Sequence, residues 1–154
     1  MPFIISGPGV DKNAISNVPV TGLDILPTLA ELAGYKKALP NALDGGSLTS
    51  MIHNGGRGEV ERNNPFLIFH QAVARDAETS LILGDYKLVK TWKNDRLELF
   101  DLSNDIGESK DLSKKNSKKT KELHQHMVEF LKVVGAETRK VGSKAEVYEN
   151  AKPL

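Results

Sequence analysis

Histidine is the first residue type to test for chemistry, because imidazole carries protons near neutral pH and ligates metals. His124 and His126 lie two apart in a stretch with helical periodicity. That spacing sets them about 200° apart around the axis, so they cannot share one ion and read as solvated or flanking residues. His53, near a helix end, and His70, at a strand end, are isolated. Cysteine is absent, which removes thiol catalysis, disulfide frameworks and cysteine-type zinc sites. No Ser/His/Asp order, dinucleotide fingerprint or HExxH motif is present. Gly55-Gly56-Arg57-Gly58 lacks the Lys and Ser/Thr of a phosphate loop and reads as a linker. The sequence predicts no calcium or zinc binding better than millimolar, since carboxylates and imidazoles never converge at ligand spacing. The acidic turn Asp101 to Glu108 is the one place expected to draw an adventitious cation.

Charge offers a second kind of chemistry. Lys110, Lys114, Lys115, Lys118, Lys119 and Lys121 are opposed within their stretch only by Asp111. Just upstream, Asp95, Glu98, Asp101, Asp105 and Glu108 are opposed only by Arg96. A basic run before a helix could hold sulfate, phosphate or an acidic glycan, with Lys114, Lys115, Lys118 and Lys119 as the anion contacts. The plainer reading is a solvated loop neutralised by the adjacent acidic turn. Over the whole chain 21 Lys and Arg meet 20 Asp and Glu, a net charge of +1. That balance gives no chain-wide attraction to nucleic acid or anionic membrane. The apolar stretches are too short to span a bilayer. The opening Met1 to Gly9 lacks the positive flank and apolar run of a signal peptide.

These residues must be positioned by elements that 154 residues can supply, one domain or slightly more. An apolar share of 39% with 27% charged residues excludes a disordered polymer. Phe3 to Ile5 reads as a short strand stopped by Gly7-Pro8-Gly9. Leu23, Ile25, Leu26, Leu29, Ala30, Leu32 and Ala33 mark a helix with buried surface, Thr21 and Asp24 forming a near capping box and Pro27 in its first turn. Ser47 to His53 gives one or two more helical turns, and Asn54 to Gly58 breaks the chain. Four strands follow, near 66–70, 79–83, 86–92 and 96–102, with a tight hairpin at Gly84-Asp85 and short connections that imply an antiparallel meander. A helix over 117–134 should bury Leu123, Met127, Phe130 and Leu131 against alternate strand residues, with Thr120 and Val134 on the same stripe. Gly135 ends it, and 137–154 reads as a polar tail.

Several segments then stand in a meaningful order. Val18-Pro19-Val20-Thr21-Gly22-Leu23-Asp24-Ile25-Leu26-Pro27-Thr28-Leu29, Glu31-Leu32-Ala33-Gly34 and Asp44-Gly45-Gly46-Ser47-Leu48 resemble the stretch past the last active-site segment of the formylglycine-dependent sulfatases. Pro2 to Ile5 with Gly7-Pro8-Gly9 is similar to the strand and turn before it. Gly84-Asp85-Tyr86-Lys87-Leu88-Val89, then Glu98 to Asp105 and Gly107-Glu108, resemble the C-terminal subdomain of that family. The resemblance covers about residues 1–135 and places the chain in the C-terminal third of a sulfatase, in the alkaline-phosphatase-like superfamily. It implies an α+β fold: a four-stranded antiparallel sheet packed by a C-terminal helix (61–136), preceded by a strand and helix remnant of an α/β catalytic domain (1–60) and followed by the polar tail (137–154).

The resemblance also implies sulfuric ester hydrolysis by a formylglycine nucleophile with calcium, acting on a sulfated glycan or aryl sulfate. The nearest match to the C/S-x-P-x-R motif, Ser6 to Val10, has Val10 where arginine should stand, and no Asp-Asp, Asp-Asn or Asp-His pair occurs. No catalytic or metal residue is therefore carried over, no cofactor is expected in this chain, and alone it should not turn over sulfate esters. In an intact relative the sheet and helix would close one side of the cleft and help select substrate, with His70, Arg75 and Trp92 as contacts from strand ends or loops. Two alternatives remain: a free-standing module holding an acidic glycan through Lys110 to Lys121, or half of a split sulfatase whose other chain supplies the nucleophile. The resemblance suggests a periplasmic or secreted full-length protein. With neighbouring strands missing, the Leu23–Ala33 helix should bare much of its apolar surface and 1–60 should either sit loosely or self-associate, while 65–135 stays folded.

Overall fold

The computed structural model describes residues 3–40, 43–72, 77–138 and 146–147, which fall into two compact units, one ending at Pro65 and one starting at Phe66. In the first unit a 3-10 turn at Gly22–Asp24 leads directly into helix α1, Ile25–Leu32, and α2 spans Thr49–Ile52. The capping box forms as the sequence predicts: Thr21 Oγ1 accepts from the Leu23 N–H, and Asp24 Oδ2 accepts from the Thr21 N–H at 2.7 Å. Leu48, Met51 and Ile52 make the small core, against Ile5, Val10, Val18, Val20 and Val60.

Asp24 organises this unit. It is fully buried, and Arg62 binds it with two nitrogens, Nε to Oδ1 at 2.9 Å and Nη2 to Oδ2 at 2.7 Å. The Gly46 N–H donates to Oδ1 at 2.9 Å. Thr28 Oγ1 donates to the Asp24 carbonyl and accepts from the Leu48 N–H, tying α1 to the start of α2. Burial raises the Asp24 pKa, but the donors from Arg62, Gly46 and Thr21 outweigh it and hold the carboxyl below its usual range. Gly45 and Gly46 admit no side chain, because a Cβ there would collide with the carbonyls of Leu23 and Glu61.

One expectation for this unit fails and one holds. Phe3 to Ile5 form no strand; three residues cannot hold an extended ladder without a partner to share their backbone hydrogen bonds. The apolar stripe of α1 is turned outward. Pro27 and Thr28 are buried, whereas Leu26 and Leu29 are 54% and 59% exposed and Ile25 and Leu32 are exposed beside them. The helix is held by its polar capping network rather than by its leucines.

The second unit is an antiparallel meander with order β1-β2-β3-β4: Leu67–Gln71, Glu78–Leu83, Tyr86–Thr91 and Arg96–Asp101. Gly84, at φ +58°, makes the tight β2–β3 turn, and Asp95, at φ +56°, closes β3–β4, a conformation aspartate tolerates. In register, Ile68, Leu81, Leu88 and Leu99 form one row across the sheet, and His70, Thr79, Lys90 and Leu97 form the next row on the same face. Helix α3, Ser117–Val133, covers that face. Leu81, Leu88, Leu99, Leu123, Met127, Val128 and Leu131 make its core. Asn116 caps α3 by accepting from the Lys119 N–H. The free edge of β4 is occupied: Leu99 accepts from the Leu112 N–H and donates to Asp111 Oδ1.

The α3 phase holds for Leu123, Met127 and Leu131. Phe130 is half-buried, edge-on to Phe66 with centroids 5.5 Å apart, and Val134 is exposed because it caps the C-terminus beyond the sheet. His124, read as solvated or flanking, is instead buried: it follows Leu123 and precedes Val128 by one turn, on the side that faces the sheet. Within the segment read as a polar tail, β5, Glu137–Thr138, pairs with β6, Glu146–Val147.

Candidate functional site

One face of the second unit gathers most of its buried polar chemistry, on the row next to the leucine row. Antiparallel pairing sets His70 on β1 opposite Thr79 on β2, and Thr79 opposite Lys90 on β3. Trp92, two residues past Lys90, keeps the same parity. Thr79 Oγ1 receives the indole N–H of Trp92 at 2.8 Å and lies 2.8 Å from His70 Nδ1. His70 Nε2 lies 2.7 Å from the Glu137 carbonyl, which can only accept. In the neutral imidazole the protons then run one way: Trp92 to Thr79, Thr79 to Nδ1, and Nε2–H to the Glu137 oxygen. The chain fixes the His70 tautomer and draws the start of β5 to the sheet.

Lys90 adds a charge to this row. It is 4% exposed, its ammonium pairs with Asp95 Oδ1 at 2.8 Å, and it lies 5.1 Å from the centre of the Trp92 ring. The hydrogen bond and charge of Lys90 hold the Asp95 carboxyl below its usual range. Opposite, on α3, His124 is 3% exposed and its Nε2 has no hydrogen-bond partner. Burial first, and the nearby Lys90 charge second, lower its pKa to about 4.

Of the expected contacts, His70 and Trp92 are thus joined through one hydroxyl; Arg75 lies outside the described residues. Thr79, Lys90, Asp95 and His124 were not picked out by sequence reasoning as site residues. Their signal was available, since Thr79 and Lys90 are polar residues at inward parity and His124 interrupts an apolar helical stripe. Lys114 and Lys115 are exposed in the turn before α3 and Lys118 is exposed on its first turn, while Lys119 pairs with Glu122 at 2.7 Å and lies 5.8 Å from the Tyr86 ring centre. In the acidic turn, Asp101 is taken up by Ser103 and Asn104, Asp105 by Ser109 and Lys110, and Glu108 by Lys87. Among the described residues no three His, Asp or Glu side chains could hold a metal ion. His53 Nδ1 meets the Gly9 carbonyl at 3.0 Å, and His126 lies 6.1 Å from the Phe66 ring centre. No described helix is long and apolar enough to cross a membrane.

The family model for N-sulphoglucosamine sulphohydrolase, C-terminal, matches residues 1–136. The chain belongs to that sulfatase C-terminal family. It is 32% identical over 127 residues to a sulfatase of Formosa agariphila, covering 75% of this chain and 23% of that protein. It is 31% identical over 134 residues to the delta 4,5-hexuronate-2-O-sulfatase of Bacteroides thetaiotaomicron, covering 82% and 26%. The choline-sulfatase of Rhizobium meliloti shares 37% identity over 107 residues, 68% of this chain and 20% of that one. The chain therefore spans about a quarter of the length of these curated relatives. A solved 2-O GAG sulfatase superposes with a TM-score of 0.72 at 24% identity, covering 99% of this chain and 34% of that one, a likeness of fold. No segment of this chain matches the formylglycine motif C/S-x-P-x-R in full. Cysteine is absent, and Val10, where the motif's arginine should stand, packs on the apolar cluster of the first unit.

Proposed function

We propose that this sulfatase chain works as the C-terminal portion of a sulfuric ester hydrolase for sulfated glycans or aryl sulfates, with nucleophile and calcium supplied by other polypeptide. The observation that carries this reading is the outward apolar stripe of α1, Ile25, Leu26, Leu29 and Leu32. A helix that shows its leucines to water and buries a threonine has the surface of an interior element. The occupant of that stripe is the catalytic part of a sulfatase; a second copy of this chain is the rival occupant. In the completed enzyme the β1–β3 row would help form a cleft wall, with His70 and Trp92 held ready by Thr79 and Arg75 as a countercharge for sulfate. His70 would meet substrate through its ring carbons, because both nitrogens are engaged. The names of the hexuronate-2-O-sulfatase and choline-sulfatase relatives support a sulfate ester as substrate class. A periplasmic or secreted location is part of the same reading.

Activity of the pure chain toward an aryl sulfate with calcium is the direct test. No turnover over a protein-free control is expected, and turnover would overturn the reading. Co-expression with the polypeptide encoded immediately upstream should restore hydrolysis, and Leu29→Glu should abolish that restoration. A second reading, an acidic-glycan contact at Lys114, Lys115 and Lys118, is favoured by the exposure of all three. Heparin chromatography decides it: retention beyond that expected of a +1 protein supports it, and elution with the void removes it.

A further inference from the structure

His124 is used by none of the chemistry above, yet it is the kind of group folding normally avoids: a buried imidazole with an unsatisfied nitrogen. The groups facing it can be named element by element. From β3 comes Lys90, itself buried, and from the β3–β4 turn comes Asp95, paired to Lys90. The inward residues of β2 and β4 near this row, Thr79, Leu81, Leu97 and Leu99, carry no charge. On α3 itself the residues one turn away are Thr120, Lys121, Met127 and Val128, of which Lys121 is charged and exposed. A proton on His124 thus meets one cation and one carboxylate already committed to that cation.

We propose that His124 is an acid-sensitive release for α3: protonation sets a second buried cation beside Lys90 and loosens the helix from the sheet. The sign follows from linkage. The folded form takes up the proton near 4, whereas an unfolded or detached helix takes it up near 6.5. The contribution is therefore intact above 6.5 and is lost progressively as pH falls from 6.5 to about 4. The α3–sheet contact would then weaken in acid while the leucine row still favours closure.

The test follows amide exchange of 123–131 in the full chain from pH 7 to pH 4, corrected for intrinsic exchange, beside His124→Leu. The wild-type opening equilibrium should rise relative to the variant by up to tenfold per pH unit, reaching roughly 150-fold at pH 4, half the limit set by the interval from 6.5 to about 4. Parallel curves for the two proteins would overturn the proposal. Should His124→Leu fail to fold, the imidazole Cε1–H resonance of wild-type His124 decides. A midpoint well below 6.5 that rises in Lys90→Met supports the release, and a midpoint at or above 6.5 ends it.

Discussion

Asp24 carries the most concentrated set of interactions in the first unit, so its removal should be felt there first. Asp24→Asn leaves Arg62 half-buried without its counter-charge, and loss of one partner of a buried pair costs about 3–5 kcal/mol. Denaturant unfolding read by probes in 3–65 should show that loss, and Arg62→Met together with Asp24→Asn should recover part of it. Because the Asp24 pKa is depressed on folding, its contribution is present above the ordinary carboxylate range and is lost as pH falls through the folded value. Asp24→Asn should flatten that acid limb, and an unchanged limb would show that other carboxylates set it. In the second unit, Thr79→Val removes the partner of both Trp92 and His70 while keeping its shape. A cost of about 1–3 kcal/mol is expected, with a shift in Trp92 fluorescence as its indole N–H loses its acceptor.

At the scale of elements, the second unit was largely legible from sequence and the first was not. Alternation in 86–92 and the 3/4 spacing of Leu123, Met127 and Leu131 report which side chains leave water, and burial decides both β register and helix phase. Truncating Leu88 or Met127 to Ala should accordingly cost about 2–5 kcal/mol by thermal or urea unfolding, with a loss below about 1 kcal/mol counting against their place in the core. At α1 periodicity alone points inward, and only the absence of neighbouring strands accounts for the bared stripe. Its spacing announces a buried stripe, whereas the helix is held through Thr21, Asp24 and Thr28, and periodicity cannot say that the covering surface lies elsewhere. The candidate row was half legible, since His70 and Trp92 could be named but the hydroxyl joining them depends on β1–β2 register, which sequence alone does not fix.

For the whole molecule, the uneven placement of apolar surface sets behaviour in solution. Of the large side chains left exposed, Phe3, Ile4, Ile15, Leu23, Ile25, Leu26, Leu29, Leu32 and Tyr35 all belong to the first unit. Sedimentation should show association that rises with concentration and is relieved by Leu26→Glu with Leu29→Glu. A wild-type chain that stays monomeric at every concentration would count against exposed leucines as a driver of association. On a monomeric sample, amide protection should be weaker at Phe3–Ile5, which have no ladder, than at Tyr86–Val89, which pair on both sides. Equal protection would show that the first unit is held by more than its small core.

The His70 bond to Glu137 joins a side chain to a main-chain oxygen, and every amino acid carries that oxygen. Position 137 can therefore drift freely without weakening the contact, while position 70 needs a ring nitrogen that donates and position 79 needs a hydroxyl. A saturation-mutagenesis map should show a lopsided pattern: few residues accepted at 70 and 79, nearly all at 137. Information about this contact is stored on one side of it only, so covariation between 70 and 137 should be absent even though the two residues touch.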